Sequence, residues 1–244
     1  MPISSLPRVR VRDLGKAQAY QPIWDLQTEI HKSIVNWKIE CRRSGRDEAD
    51  PLAEDRPVNH LFFVEHSHVV TLGKSGKANH LVASSERLAE LGVEFVPINR
   101  GGDITYHGPG QIVCYPILDL ELFKPDIGWY MRSLEESVIR TCGDFGVEAG
   151  RVEGLTGVWL GTGSSARKIA ALGVKTSRWV TMHGLAFNVN TDLAFFDLIV
   201  PCGIAGKDVT SLSQELGQPV DAAEVQKRLL HHLQALFPWH SVQE

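Results

Sequence analysis

The stretch GQIVCYPILDL, residues 110–120, is a continuous run of mostly apolar side chains. Such a run is typical of a strand buried on both faces. Strand-like segments lie on both sides of it in the sequence. They are LFFVEHSHVVTLG (61–73, two strands) and VEFVPIN (93–99) before it, and GVWL (157–160), KIAALGVK (168–175) and WVTMHGLAFNVN (179–190) after it.

Helical periodicity is confined to segments around these strands. Residues 22–43 and 127–146 carry apolar side chains at three- and four-residue steps, and SSERLAELG (84–92) predicts a short helix. A C-terminal helix is expected over about 221–237, because Asp221 and Glu224 have capping-box spacing. The order of elements is mixed, without a βαβ repeat. We therefore predict an α+β fold with a mixed, largely antiparallel sheet and flanking helices.

The length of 244 residues suits a single domain over 1–244. The polar stretch at about 43–60 contains two prolines and almost nothing to bury, so it indicates a surface loop rather than a linker. We assign this loop no role.

The charge and cysteine content exclude several classes of protein. A net charge of −4 gives no footprint for nucleic acid or an anionic membrane, and no apolar stretch is long enough for a membrane span. The four cysteines are widely scattered, which argues against a disulfide scaffold or a zinc site and favours the cytoplasm. We expect no metal site. Cys114 and Cys142 fit buried positions, whereas Cys41 is expected to be exposed at a polar helix end.

The segment NRGGDITYHGPGQ, residues 99–111, holds four glycines around an arginine, a tyrosine and a histidine. Glycines allow a ligand to approach the backbone closely, whereas a hairpin would need only one glycine pair. We interpret the segment as a ligand-binding loop. It is not a phosphate loop, because neither GxxxxGK[ST] nor GxGxxG spacing fits.

Two polar residues interrupt or precede apolar strands. Lys168 heads KIAALG, so its ammonium is expected at the mouth of the strand beside a pocket, with Arg167 as a solvated neighbour. His183 and Gly184 interrupt the strand at 179–190. Glycine inside a strand marks either a bulge or a close approach, so a strand kink and a ligand contact both stay open for His183.

Cys202 differs from the other cysteines because Pro201 and Gly203 force a defined turn around it. A free cysteine has a pKa of about 8.5, and lowering it by about 1.5 units requires roughly 2 kcal/mol. A lysine ammonium about 4 Å away supplies up to about 4 kcal/mol at an effective dielectric constant of 20. A lysine therefore suffices to activate this thiol, and whether Lys168 reaches Cys202 depends on the fold.

Four segments together resemble the lipoyl(octanoyl) transferases. RGGDITYHGPGQ, RKIAALGVK, HGLAFNVN and IVPCGI followed by VTSL occur in that family's order and at similar spacing, between about residues 60 and 216. The resemblance implies the fold of the biotin/lipoate protein ligases. It also implies transfer of an octanoyl group from octanoyl-acyl carrier protein to a lysine of a lipoyl domain, by ping-pong chemistry and without a cofactor. The acceptors implied are the lipoyl domains of 2-oxoacid dehydrogenase E2 subunits and the glycine cleavage H protein.

The resemblance also assigns roles to residues. Cys202 matches the family's nucleophile, and Lys168 matches the lysine that lowers its pKa and transfers protons. The substrate-binding segments match Arg100, Gly101, Gly102, Asp103, Ile104, Thr105, Tyr106 and His107, then Ala171, Leu172 and Gly173, then Gly184, Leu185 and Ala186. Tyr106 and His107 would be the polar-tipped lining of an acyl tunnel. Asp103, Ile104 and Phe187 depart from the residues common in the family.

Two alternatives remain. An ATP-dependent lipoate–protein ligase of the same fold resembles RRxSGGGxVYHD, whereas Pro109 and Gly110 follow the histidine here and Cys202 is present. A non-catalytic module that binds acyl carrier protein or lipoyl domains would not need both Lys168 and Cys202.

Overall fold

The computed structural model describes residues 6–51, 53–200 and 208–243. Within these residues two sheets form. The larger contains β1 (Arg8–Asp13), β2 (Asn59–Val64), β6 (Gln111–Ile117), β7 (Val158–Leu160), β8 (Arg167–Ser177), β9 (Val180–Asn188), β10 (Asp208–Val209) and β11 (His240–Ser241). The smaller contains β3 (Val69–Leu72), β4 (Glu94–Pro97) and β5 (Ile104–His107).

The larger sheet is antiparallel at its centre and parallel towards its edges. Its strand order is β10-β8-β9-β6-β2-β1-β11, with β7 paired to β8. The pairs β2–β6, β6–β9 and β8–β9 are antiparallel, whereas β1–β2, β1–β11 and β10–β8 are parallel. All seven residues of β6 are buried, as the apolar run predicts for a strand covered on both faces. The predicted mixed sheet is therefore confirmed.

The described residues contain the α-helices α1 (Tyr20–Ser44), α2 (Ser85–Glu90), α3 (Ile127–Asp144), α4 (Leu212–Leu216) and α5 (Ala222–Leu236). Helices cover both faces of the larger sheet, whereas α2 packs beside β4 of the smaller sheet. The helices α3 and α5 pack together over one hydrophobic cluster, and α1 lies over another beside β6 and β9. Asp221 caps α5 by accepting a hydrogen bond from the Ala223 N–H, so the predicted C-terminal helix is confirmed. No helix in the described ranges is both long and apolar enough to span a bilayer.

The helix α1 buries Cys41, which contradicts the expectation of an exposed thiol. Cys41 follows Ile34 and Lys38 at helical spacing, so it lies on the same inward face despite its polar neighbours in the sequence. Cys114 and Cys142 are buried as predicted, and all three are free thiols.

The polar stretch after α1 forms a loop anchored by one buried arginine. The Arg56 guanidinium donates to Asp119 and to the carbonyl oxygens of Glu48 and Asp50. Lys38 Nζ lies 2.6 Å from the other Asp119 oxygen. A buried ion cluster of Lys38, Arg56 and Asp119 holds this loop against the fold.

Candidate functional site

A cavity of about 560 Å³ opens between the β8–β9 pair and the segment that carries β5. Its wall contains every described residue of the predicted set except Tyr106. These are residues 100–105, His107, Lys168, residues 171–173 and residues 183–186. Segments that are up to 86 positions apart in the sequence (100 to 186) therefore meet around one space.

Lys168 stands in this wall at the start of β8. It is buried, with Nζ 4.7 Å from the centroid of the Trp159 ring, a cation–π contact. The register of the sheet pairs Lys168 with Trp159 on β7 and with Val209 on β10. Arg167 is not merely solvated as expected, because its guanidinium makes two hydrogen bonds to the Glu215 carboxylate, at 2.6 and 2.5 Å.

Four small residues lie opposite one another in the β8–β9 pair. Ala171 faces Ala186 and Gly173 faces Gly184 in the register. A Cβ built on Gly184 would lie only 2.2 Å from the carbonyl oxygen of Cys114, so the backbones of β9 and β6 approach too closely for a side chain. Small residues at these positions keep the wall of the cavity free of side-chain bulk.

The segment from Arg100 is tied to itself and to β8. Arg100 donates from Nη1 to the carbonyl oxygen of Gly101 and from Nη2 to that of Asp103, both at 2.7 Å. The Gly101 N–H donates to the Val174 carbonyl at 3.0 Å. A Cβ on Gly173 would lie 2.6 Å from Arg100 Nη1, so glycine there admits the guanidinium. The arginine folds the glycine-rich segment over β8.

Tyr106 does not reach the cavity. Its ring is buried in the cluster beside Phe195 and Phe196, and its hydroxyl forms a 2.8 Å hydrogen bond with His68 Nδ1. The neighbouring His107 does line the cavity. The expectation that the Tyr106 hydroxyl lines the cavity is therefore wrong. The strand β5 directs this ring into the cluster with Phe195 and Phe196 instead.

Asp103, one of the departures from the residues common in the family, has a partner that the sequence did not suggest. Its carboxylate lies 2.6 Å from His80 Nδ1 and also accepts the Ile104 N–H at 2.7 Å. The backbone carbonyl of His80 accepts the Val200 N–H at 2.7 Å. Asp103 and His80 therefore link the cavity wall to the backbone at Val200.

His183 has a left-handed backbone, with φ of +61°, which is uncommon for a residue other than glycine. Its N–H donates to Gln27 Oε1 at 3.0 Å, and its Nε2 lies 3.2 Å from Asn99 Oδ1. Burial, followed by the positive charge of Arg100, lowers the pKa of His183 to about 3, so the ring is neutral. The strand is distorted at His183, and the ring also lines the cavity.

A wall of buried aromatic residues at the cavity was not predicted. His66 Nδ1 lies 3.0 Å from the Gln18 carbonyl, so it must donate, and His66 Nε2 then accepts from the Tyr115 hydroxyl at 2.9 Å. Tyr20 stacks on His107 at 6.0 Å between ring centroids. Tyr20, His107 and Tyr115 line the cavity. No motif marks Tyr20, which is supplied by the first turn of α1.

Cys202 lies outside the described residues, and the described chain on both sides of it borders the site. Phe196 before it and Val209 after it both line the cavity. Cys202 precedes Asp208 by six positions, and Asp208 pairs with Arg167 next to Lys168.

Comparisons with known proteins identify the family. The model of the lipoyl protein ligase A/B catalytic domain matches residues 24–234. An octanoyltransferase from Flavobacterium johnsoniae is 53% identical over 232 residues, which cover 94% of this chain and 97% of that protein. The chain belongs to the octanoyltransferases of this family. It is accordingly an acyltransferase of protein lipoylation.

Solved structures of ligases share the overall fold of this chain. A bipartite lipoate protein ligase from Thermoplasma acidophilum superposes on the octanoyltransferase chain with a TM-score of 0.65, at 16% identity, over 98% of this chain and 88% of that one. A biotin protein ligase from Aquifex aeolicus gives a TM-score of 0.50 at 11% identity, over 93% of this chain and 70% of that one. The predicted biotin/lipoate ligase fold is therefore confirmed.

Proposed function

We propose that this octanoyltransferase takes the octanoyl group from octanoyl-acyl carrier protein onto Cys202 as a thioester and passes it to a lysine of a lipoyl domain. The observation that supports the proposal most directly is the position of Lys168. This cation stands in the wall of a cavity between strands, and β10 beside it directly follows the segment that holds Cys202.

The first half-reaction forms one thioester and breaks another. The Cys202 thiolate attacks the carbonyl carbon of the carrier-bound thioester, the new S–C bond forms, and the bond to the carrier's thiol breaks. Lys168 stabilises the thiolate before attack and donates a proton to the departing thiolate. Exchange of one thioester for another is close to neutral in free energy, so no nucleotide is required.

The second half-reaction forms an amide. The amine of the acceptor lysine attacks the Cys202 thioester, its nitrogen loses a proton to the now neutral Lys168 amine, and Cys202 leaves as the thiolate. Lys168 is thereby returned to its protonated form. The conversion of a thioester to an amide is downhill, which drives the overall transfer.

The cavity supplies the affinity for the acyl chain. Its wall is predominantly apolar near Leu172, Leu185 and Val113, and the small pairs Ala171–Ala186 and Gly173–Gly184 leave space beside the sheet. Burial of the seven carbons of an octanoyl tail, at about 0.8 kcal/mol for each carbon, gives about 6 kcal/mol. The rings of His107 and His183 are neutral, so these two residues add no charge to the wall.

The acceptors proposed are lipoyl domains of 2-oxoacid dehydrogenase E2 subunits and the glycine cleavage H protein. The Thermoplasma ligase of the same fold was solved as part of a lipoylation system with its E2 lipoyl domain. We extend that class of partner to this octanoyltransferase. In both enzymes the lipoyl domain would present a lysine to an acyl group that is held in the same fold.

Intact mass spectrometry after mixing with octanoyl-acyl carrier protein, without ATP, tests the proposal. Wild type is expected to gain one octanoyl group, which a lipoyl domain then removes. Cys202→Ala is expected to gain none, and Cys114→Ala, which removes a buried thiol, serves as the matched control and should gain the group.

Two outcomes would contradict the proposal. Acylation of the lipoyl domain only in the presence of ATP would point to a ligase. Failure of acyl transfer under both conditions, with retained binding to either protein, would point to a binding module.

A further inference from the structure

Glu135 carries a carboxylate on the inward side of α3. It is 1% exposed, whereas the next residue, Glu136, is half-buried at the helix surface. An ionisable side chain is rarely buried so completely unless it has specific partners. The buried face of α3 is otherwise composed mainly of apolar and small hydroxyl residues. The partners of Glu135 therefore indicate what it does.

The two carboxylate oxygens of Glu135 have different partners. Oε2 accepts from Arg132 Nη1 at 2.6 Å and from Arg151 Nε at 3.0 Å, which offsets the buried negative charge. Oε1 accepts the backbone N–H of Gly157 at 3.0 Å. The first oxygen is held by arginines of α3 and the loop after it, whereas the second binds the chain immediately before β7.

Gly157 borders the side chain of Lys168. A Cβ built on Gly157 would lie 3.3 Å from Lys168 Cε and 3.4 Å from Trp159 Nε1. The φ of Gly157 is +120°, a backbone conformation open to glycine, and its Cβ would also lie 2.8 Å from the Ala170 carbonyl oxygen. The backbone of Gly157 thus packs directly against the aliphatic part of the Lys168 side chain. It lies next to residues 154–156, which line the cavity.

We propose that Glu135 is a positioning residue for Lys168: by binding the Gly157 N–H, it fixes the backbone against which the lysine stem and the Trp159 ring are packed. The inference rests on the role proposed above for Lys168. Glu135 contacts neither the acyl chain nor Cys202 in this scheme. It keeps the Lys168 ammonium in the geometry that activates the thiol and exchanges protons.

The test compares three variants. Glu135→Ala removes the acceptor for Gly157, whereas Glu135→Gln retains one oxygen that accepts the same N–H without the charge. Glu136→Ala is the matched control, because Glu136 shares Arg151 as a partner and also binds Arg140, with no bond to Gly157. Thermal unfolding of each variant establishes that it is folded at the assay temperature.

Steady-state octanoyl transfer is the first measurement. Glu135→Ala is expected to lower kcat about 10- to 100-fold with KM within about twofold, since misplacement of a reacting group by about 1 Å has an effect of this size. Glu135→Gln is expected to recover most of kcat, and Glu136→Ala should match wild type. Equal kcat values for Glu135→Ala and Glu136→Ala would overturn the proposal, and so would equal losses in Glu135→Ala and Glu135→Gln.

The pH profile of Cys202 alkylation by iodoacetamide is the second measurement, and a purely structural role would not alter it. Glu135→Ala is expected to shift the profile towards that of Lys168→Ala, and to have no further effect in the Lys168→Ala background. An unchanged profile in Glu135→Ala, alongside a shifted one in Lys168→Ala, overturns this inference alone. A wild-type profile in Lys168→Ala would show that Lys168 does not activate the thiol. The positioning role of Glu135 would then be overturned as well, because it depends on that activation.

Discussion

Gly184 lines the cavity, but the need for glycine at this position comes from a contact with another strand. Its sequence context, a glycine after a histidine in an apolar strand, predicts either a bulge or a close approach. The contact that decides between them is the Cys114 carbonyl on β6, 70 positions earlier in the chain. The glycine is required because two central strands meet there, in addition to any contact with an acyl chain.

Gly184→Ala is expected to destabilise the protein by at least about 2 kcal/mol, because the new methyl group would overlap a backbone carbonyl that cannot rotate away. Gly143→Ala provides the control, since a Cβ at this position of α3 meets nothing within 4 Å. That substitution is expected to stabilise the helix by up to about 1 kcal/mol. Urea unfolding of both variants measures the difference, and equal stabilities would show that the strands adjust freely.

At the scale of elements, α1, α2, α3, α5 and most of the longer strands were predicted from their apolar patterns, whereas the five-residue helix α4 was not. The apolar run at 110–120 identified β6 correctly. The strand β1, which lies between β2 and β11, was missed: RVRVRD alternates, but only one of its six residues is buried and three of them are arginines. The strand β5 was hidden in the glycine-rich segment, where turn residues on both sides mask four residues of strand.

The site was only partly predictable for a related reason. The motif segments named residues 100–107, Lys168 and the 171–173 and 184–186 stretches, and the fold places all of them except Tyr106 around one cavity. Tyr20, Tyr115 and Glu135 belong to no motif, and their roles depend on contacts between elements that lie far apart in the sequence. Periodicity shows which face of α3 is buried, but it does not show which backbone N–H lies opposite.

The loop after α1 gives a second prediction. Arg56→Ala is expected to lower the free energy of unfolding by about 3 kcal/mol. The substitution leaves the buried Asp119 carboxylate with Lys38 as its remaining cation in the described ion cluster. Arg46→Ala removes an exposed arginine of the same loop, paired with Asp55 at the surface, and should leave stability unchanged within error. Denaturant midpoints test the contrast, and similar midpoints for the two variants would refute it.

At the scale of the whole molecule, burial of histidines makes stability depend on pH. Burial is the main cause that lowers the pKa of His60 and His66 to about 4, and that of His107 and His183 to about 3. An unfolded histidine has a pKa of about 6.5, so between this value and the folded pKa the unfolded chain binds more protons. The contribution of these neutral histidines to the free energy of unfolding is therefore complete above about pH 6.5. It is lost as the pH falls towards 4.

His107→Gln should make this loss less steep. The variant removes one group that titrates only on unfolding, so the slope of unfolding free energy against pH between 6 and 4 should decrease by up to about 1.4 kcal/mol per pH unit. The wild-type protein, measured in parallel, gives the reference slope. Urea unfolding at half-unit intervals of pH gives both slopes, and an unchanged slope in His107→Gln would mean that this ring is protonated in the folded state.

The pairing of β1 with both β2 and β11 has a consequence for biosynthesis. Val9 pairs with Asn59 on one side and with Ser241 on the other, and the buried Trp239 stands just before β11. More than two hundred residues separate β1 from β11, so the outer edge of β1 is not covered until translation has reached β11. During that interval the outer edge of β1 has unpaired backbone groups that other nascent chains could bind. The positive charges of its arginines oppose such association.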